Sequence, residues 1–182
     1  PDSVDSIHED GGTVLGSSRG RQDETIMVET LKRMNIKLLF CIGGDGTLRC
    51  AHDIALEVER RGLNISVIGI PKTIDNDINY IDKTFGFETA VYATGPVISA
   101  AHNEAKGAPN GIGLIHVMGR DSGFIAAYAT LANTHVNYCL IPEEKFTLEE
   151  GENAFLPSLF KRLQARHHAV VIVAEGAGQD LI

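Results

Sequence analysis

Two acidic residues that could act on a phosphorylated substrate lie two positions apart in segment 71–77, which reads Pro-Lys-Thr-Ile-Asp-Asn-Asp. A kinase that phosphorylates an alcohol needs a carboxylate near the hydroxyl group to accept its proton, and it needs Mg²⁺ and cations around the transferring phosphoryl group. Asp75 and Asp77, with Lys72 and Thr73 beside them, can supply such groups from one loop. The alternative is that the Asp-Asn-Asp run only forms Asx turns.

A glycine-rich run, Gly43, Gly44, Asp45, Gly46 and Thr47, follows an apolar stretch that is typical of a strand and opens a helical pattern. Glycines let the backbone approach a phosphate, a helix amino terminus presents free N–H groups, and Asp45 could hold Mg²⁺ directly or through water. The alternative is a tight turn in which Asp45 only caps the helix. The run is neither a Walker A motif, because no Gly-Lys-Ser/Thr follows, nor the Gly-x-Gly-x-x-Gly dinucleotide fingerprint.

A third candidate loop, Met118, Gly119 and Arg120, also follows an apolar stretch. The guanidinium group of Arg120 can pair with a phosphate through two hydrogen bonds, and Asp121 or Ser122 can cap the helix that follows. Taken alone, an arginine in a turn is more often solvated than catalytic.

Two further stretches carry one candidate residue each. Glu175, in the run Glu-Gly-Ala-Gly, places a carboxylate among small residues, where it can accept hydrogen bonds from sugar hydroxyl groups, although the run is equally a plain turn. Arg19 lies in stretch 11–20, which is too rich in glycine for a regular element, and it is a further candidate ligand for a phosphate.

Apolar runs of strand length alternate with longer helical patterns along the chain. This alternation predicts an α/β fold with a parallel sheet and crossover helices. In such sheets ligands bind at the carboxyl ends of the strands, where most of the candidate residues lie. We predict one domain, with strands at 37–42, 65–70, 111–117, 136–140 and 169–174 and helices at 23–34, 48–61, 88–106, 122–132 and 148–166.

The composition of the chain argues against several classes of protein. The 182 residues are 43% hydrophobic and 22% charged, which is ordinary for a globular domain. The longest apolar run, 169–174, is far shorter than the roughly 20 residues that cross a bilayer, so we predict no membrane contact. The net charge of −8 argues against a nucleic-acid-binding surface. Three widely spaced cysteines predict neither a disulfide framework nor a metal site, which fits a reducing cytoplasm.

The chain resembles the 6-phosphofructokinase family over essentially its whole length. The glycine-rich run 43–47 alone is shared with NAD kinases and diacylglycerol kinases, whereas segment 69–77 is similar to phosphofructokinases and not to those two groups. The resemblance rests on six motifs in the family's order, which are Gly-Ser-Ser-Arg (16–19), Gly-Gly-Asp-Gly-Thr (43–47), Pro-Lys-Thr-Ile-Asp-Asn-Asp (71–77), Gly-Phe-Glu-Thr-Ala (86–90), Met-Gly-Arg (118–120) and Ala-Glu-Gly-Ala (174–177).

The resemblance implies a Rossmann-like amino-terminal lobe, in which helices cover both faces of a parallel sheet, and a second, similar lobe that these residues lack. The family's first strand with its glycine-rich turn also has no counterpart here, so we expect the 182 residues alone to be inactive. For the intact protein the resemblance implies a cytoplasmic, allosteric enzyme of glycolysis. It would assemble into dimers or tetramers and transfer a phosphoryl group to the 1-hydroxyl of fructose 6-phosphate.

The resemblance also gives each candidate residue a role. Asp75 would be the general base on the sugar hydroxyl, and Asp45 would be the acid associated with Mg²⁺. Arg19 and Arg120 would stabilise the charge of the phosphoryl group. Thr73, Asp77 and Lys72 would lie near that group, Met118, Gly119 and Glu175 would contact the fructose 6-phosphate, and run 43–47 would bind the donor.

Two positions bear on the identity of the donor. Gly46 stands where pyrophosphate-dependent relatives typically carry a second Asp, whose side chain would occupy and repel the space of the α-phosphate of ATP. Lys72, however, resembles the pyrophosphate users, in which an ammonium group offsets the charge of a small anionic donor. The pair is most similar to the plant and protozoan ATP-dependent branch, so we predict ATP. The alternatives are a pyrophosphate-dependent enzyme, an NAD or lipid kinase, and a catalytically silent regulatory domain of the same fold.

Overall fold

The computed structural model describes residues 4–14, 16, 20, 22–151 and 154–181. Strands alternate with helices along the chain, which confirms the predicted α/β class. The strands are β1 (Leu38–Gly43), β2 (Ser66–Thr73), β3 (Phe85–Gly86), β4 (Gly111–Val117), β5 (Tyr138–Leu140) and β6 (His168–Ala174). The helices are α1 (Glu24–Arg33), α2 (Asp45–Arg60), α3 (Phe87–Gly107), α4 (Phe124–Ala132) and α5 (Phe155–Arg166), followed by a 3₁₀-helix at Gln179–Leu181.

The chain divides into two compact units, and the smaller consists of residues 1–39 and 52–67. An ion-pair cluster links its helical segments. Arg61 Nε lies 2.6 Å from Glu57 Oε1, and Arg61 Nη1 lies 3.1 Å from Glu29 Oε2. Hydrogen bonds from two arginines lower the pKa of Glu57 to about 2, so this carboxylate stays charged over the whole range in which proteins normally work.

The larger unit, residues 40–51 and 68–182, is built on a parallel sheet with the strand order β4-β6-β5. Its central strand, β6, is nearly continuous in apolar residues, and five of its seven residues are buried. Such a run is typical of a parallel strand that is covered on both faces. Val170 and Ile172 of β6 pack in one core cluster with Phe87 and Ile98 of α3, and all four residues are fully buried.

The longest helix, α3, covers this sheet and runs without interruption through Pro96. A proline inside a helix removes one hydrogen bond of the helix, and burial of Phe87, Ile98 and Ala105 along α3 outweighs this loss. Within the described ranges, no helix combines the length and the apolar composition that a membrane span requires.

The second sheet has the strand order β1-β2-β3, so β1 lies at its edge. Alternate residues of β1, namely Leu38, Phe40 and Ile42, are 48%, 53% and 57% exposed. Because successive side chains of a strand point to opposite faces, these three form one exposed apolar row, called the β1 stripe below. The two-residue strand β3 lies parallel to β2, with Lys72 opposite Phe85, and was not predicted.

Helix α5 begins at Phe155, seven residues later than the sequence pattern predicts. The amides of Phe155 and Leu156 donate to the carbonyl groups of Thr147 and Leu148, so the preceding segment turns back against the helix start instead of joining it. Pro157 consequently lies in the first turn of α5, where a proline costs no intrahelical hydrogen bond.

Candidate active site

Asp75 follows the carboxyl end of β2, in a segment that side-chain hydrogen bonds hold in place. The amide of Asp75 donates to Thr73 Oγ1 at 3.1 Å, and Ser122 Oγ donates to the Asp75 carbonyl oxygen at 2.7 Å. Asn76 Oδ1 accepts from the Thr84 amide at 2.8 Å, and Thr84 Oγ1 donates to the Thr73 carbonyl oxygen at 2.7 Å. Hydrogen bonds within the chain therefore hold the backbone around Asp75 in place.

The charge of the Asp75 side chain is disfavoured by its surroundings. Burial raises the pKa of the Asp75 carboxyl group above its ordinary value, and repulsion from Asp77 and Glu175 acts in the same direction. A hydrogen bond from Thr73 and the positive charge of Arg120 oppose this rise in pKa. Five predicted site residues from three different loops thus share one electrostatic environment. A carboxylate with a raised pKa is a stronger base, as acceptance of a hydroxyl proton requires.

The turn after β4 depends on a glycine. Gly119 has φ +126°, and a Cβ atom there would lie 2.6 Å from the Ser122 carbonyl oxygen. The Ser122 amide closes the same turn by donating to the Gly119 carbonyl oxygen at 2.7 Å. The neighbouring Met118 is 64% exposed, and the side chain of Arg120 is 80% exposed, with Nε 3.6 Å from a carboxylate oxygen of the equally exposed Asp121. Such a loose ion pair leaves the guanidinium group available to an anionic substrate.

The turn after β6 packs directly on the turn after β4. A Cβ atom at Gly176 would lie 2.3 Å from the Arg120 carbonyl oxygen, so only glycine allows the two backbones to approach this closely. The contact places the exposed Glu175, which precedes Gly176, beside the other candidate residues. Its role in contacting a sugar stays a prediction.

The glycine-rich run forms the end of β1 and the first turn of α2. A Cβ atom at Gly43 would lie 2.3 Å from Thr47 Oγ1, and one at Gly44 would lie 3.5 Å from Thr73 Cβ, so this run packs against the segment that carries Asp75. A Cβ atom at Gly46 would meet no atom within 4 Å. The first amides of a helix have no acceptor within the helix, which suits them to bind a phosphate.

Asp45 is the first residue of α2, and its carboxylate forms an exposed ion pair with Arg49, with 2.9 Å between Oδ2 and Nε. Magnesium is commonly held by one or two carboxylates together with substrate phosphates, and a single exposed carboxylate at a helix amino terminus fits that arrangement. Within the described residues, no group of three His, Cys, Asp or Glu side chains could hold a metal ion on its own.

No contact described above brings Lys72 to Asp75. Lys72 and Thr73 are neighbours in β2, so their side chains point to opposite faces of the strand, and Lys72 is exposed. Arg19 lies outside the described residues.

Sequence reasoning missed the side chains that support Asp75. Asn76, Thr84 and Ser122 are the buried polar residues of the described part, with 8%, 4% and 5% exposure, and each bonds to segment 73–84. The prediction that Asp121 or Ser122 caps α4 is wrong: the N-cap is Gly123, whose amide donates to Glu143 Oε1 at 2.8 Å. No local pattern signals a hydrogen bond between residues that lie 20 or 47 positions apart in the sequence.

Comparison with known proteins identifies the family to which the chain is similar. The Phosphofructokinase family profile matches residues 1–181. An ATP-dependent 6-phosphofructokinase of Borreliella burgdorferi is 54% identical over 98% of this chain and 41% of its own length. ATP-dependent 6-phosphofructokinase 7 of Arabidopsis thaliana is 51% identical over 98% of this chain and 37% of its own length.

The similarity extends to solved structures. A pyrophosphate-dependent phosphofructokinase from Marinobacter aquaeolei matches 97% of this chain and 46% of its own, with a TM-score of 0.78 and 27% identity. The Pichia pastoris phosphofructokinase in the T-state matches 92% of this chain and 19% of its own, with a TM-score of 0.73 and 25% identity.

The chain belongs to the phosphofructokinase family. It spans about two fifths of the length of the curated relatives described above.

Proposed function

We propose that this chain is most of the donor-binding lobe of a 6-phosphofructokinase, which transfers a phosphoryl group from ATP to the 1-hydroxyl of fructose 6-phosphate. The observation that carries the proposal is the environment of Asp75, a partly buried carboxyl group with Asp77, Thr73, Glu175 and Arg120 around it. Retention of both acids and the arginine also argues against a catalytically silent domain.

Asp75 would accept the proton of the sugar 1-hydroxyl as the oxygen attacks the terminal phosphorus atom of ATP. The bond between that phosphorus and the bridging oxygen breaks, ADP leaves, and the sugar leaves as fructose 1,6-bisphosphate. Arg120 and Thr73 would lie beside the transferring group, and the positive charge of Arg120 would favour the transition state. Lys72 and Asp77 would complete this end of the site. Asp45 would hold Mg²⁺, which would supply positive charge to the donor phosphates.

The donor would bind at Gly43, Gly44, Gly46 and Thr47 with Arg19, and the sugar would contact Met118, Gly119 and Glu175. ATP is favoured because a side chain at Gly46 would extend into open space, which this glycine leaves free for a nucleotide phosphate. The relatives that are about half identical to this chain are named as ATP-dependent enzymes. Pyrophosphate is the second candidate, since Lys72 resembles the users of that donor and one similar structure is named for it.

The intact protein would act in the cytoplasm, as an oligomer, at a regulated step of glycolysis. Steady-state assays of that full-length protein with fructose 6-phosphate and either donor test the proposal. We expect fructose 1,6-bisphosphate to form with a higher kcat/KM for ATP than for pyrophosphate. A higher kcat/KM for pyrophosphate would overturn the donor assignment, and absence of product with both donors would overturn the reaction.

A further inference from the structure

The buried hydroxyl group of Ser122 joins two loops that both supply candidate catalytic residues. Ser122 Oγ donates to the Asp75 carbonyl oxygen at 2.7 Å, across 47 positions of sequence. The Ser122 amide donates to the Gly119 carbonyl oxygen at 2.7 Å, so the same residue closes the turn that carries Arg120. Ser122 is 5% exposed, which shields both hydrogen bonds from competing water.

From these contacts we infer that Ser122 is a positioning residue for Asp75. Its hydroxyl group holds the Asp75 peptide at a fixed position relative to the turn that carries Arg120. The position of this peptide in turn determines where the Asp75 carboxylate lies relative to the sugar hydroxyl. The inference rests on the proposed function, in which Asp75 is the general base.

The hydrogen bonds of Asn76 and Thr84 explain why the position of Asp75 can depend on one hydroxyl group of another loop. Asn76 and Thr84 already tie the segment to itself, through the bonds from the Thr84 amide to Asn76 Oδ1 and from Thr84 Oγ1 to the Thr73 carbonyl oxygen. Those bonds fix the shape of the segment but connect it to no other loop. Of these contacts, the bond from Ser122 is the one that connects the segment to the turn after β4.

The test uses the full-length protein and a pair of variants that differ only in the hydroxyl group. Ser122→Thr keeps the hydroxyl donor and Ser122→Val removes it. Thr and Val have nearly the same volume, so both variants crowd the site to the same extent. We expect kcat of Ser122→Val to be about tenfold or more below that of Ser122→Thr, since small misplacement of a catalytic group is costly. KM for fructose 6-phosphate should change little between the two.

Thr130→Val is the control for loss of a hydrogen-bonded, partly buried hydroxyl group elsewhere in the same unit. Thr130 Oγ1 donates to the Ala126 carbonyl oxygen at 2.8 Å, a hydrogen bond made within α4. Its kcat should stay close to that of the wild type. If Ser122→Thr is too crowded to fold, Ser122→Ala is compared with the wild type and with Thr130→Val in the same assay.

A double-mutant cycle separates positioning from general loss of structure. In the Asp75→Asn background, Ser122→Val should cause almost no further loss of kcat, because the group that it positions is already disabled. An equal loss in both backgrounds, or equal kcat values for Ser122→Val and Ser122→Thr, would overturn the inference. Failure of the proposed function has a different signature, since normal turnover of Asp75→Asn removes the base role whatever the Ser122 variants do.

Discussion

The two loops that adjoin each other in the candidate site are held in opposite ways. Segment 73–84 is fixed by buried side-chain hydrogen bonds, one of which reaches a residue 47 positions away. The first turn of α2 is fixed by close glycine packing and by an ion pair between Asp45 and Arg49, whose side chains are 52% and 78% exposed. A base must stand in place before its substrate arrives, whereas a donor phosphate brings charge that can order exposed groups around it. In the proposed function, this difference would preorganise the acceptor side of the site, where Asp75 would act as the base.

The largest expected effect is on turnover by Asp75→Asn in the full-length protein. Loss of a positioned base typically costs at least about 10²-fold, so we expect kcat to fall by that factor with little change in KM for fructose 6-phosphate. Asp82→Asn, which removes an exposed carboxylate from the same segment, is the control and should keep kcat near the wild-type value. Near-normal kcat for Asp75→Asn would show that the fixed segment does not carry the base.

The second prediction concerns the stability of the fixed segment. Asn76 has φ 53° and is 8% exposed, and its removal leaves the Thr84 amide and the Asp82 carbonyl without their partner. Asn110 has φ 54° but is exposed, so Asn110→Ala carries the same backbone cost without the buried bonds. We expect Asn76→Ala to lower the free energy of unfolding by about 2 kcal/mol more than Asn110→Ala does. Denaturant titration measures both, and equal losses would mean that the buried bonds contribute nothing.

A charge placed in the exposed turn should act on the donor and leave the fold intact. Gly46→Asp adds a carboxylate where a Cβ atom meets nothing within 4 Å. We expect it to lower kcat/KM for ATP by about tenfold more than kcat/KM for pyrophosphate, because its carboxylate would repel the α-phosphate of ATP, a group that pyrophosphate does not have. Gly46→Ala fills the same position without charge and should affect the two donors alike. Equal loss with both donors in Gly46→Asp would contradict the placement of the α-phosphate of ATP beside Gly46.

The smallest effect is a dependence of stability on pH at Asp75. Its pKa is raised in the folded chain, so the folded state binds the proton more tightly than the unfolded state does. Ionised Asp75 therefore lowers the free energy of unfolding above the folded pKa. This destabilisation disappears below the unfolded pKa of 3.8. Asp75→Asn should melt slightly higher than the wild type at pH 7, and the difference should shrink as the pH falls toward 3.8. A lower melting temperature for Asp75→Asn at pH 7 would contradict burial as the dominant cause.

The fold class and most strands could be predicted because strands such as β4 and β6 are marked by long runs of consecutive apolar residues. Such a run can be recognised without knowledge of any tertiary contact. The late start of α5 could not be read from sequence, since it depends on where the amides of Phe155 and Leu156 find acceptors. The same limit applies at the site. The Asp and Gly motifs mark the loops, but the partners of Asn76 and Ser122 are set by tertiary contacts, and both residues looked like ordinary turn or cap residues.

The β1 stripe has a practical consequence for work on these 182 residues in isolation. Among the described residues, no strand pairs with the outer edge of β1, so its backbone groups and its exposed apolar side chains can bind another molecule. We expect the isolated chain to self-associate in a concentration-dependent way through Leu38, Phe40 and Ile42. Light scattering at several concentrations measures this association and should precede any enzymatic measurement on the isolated chain. In an aggregated sample, a loss of turnover would be caused by aggregation and would not test the role of Asp75.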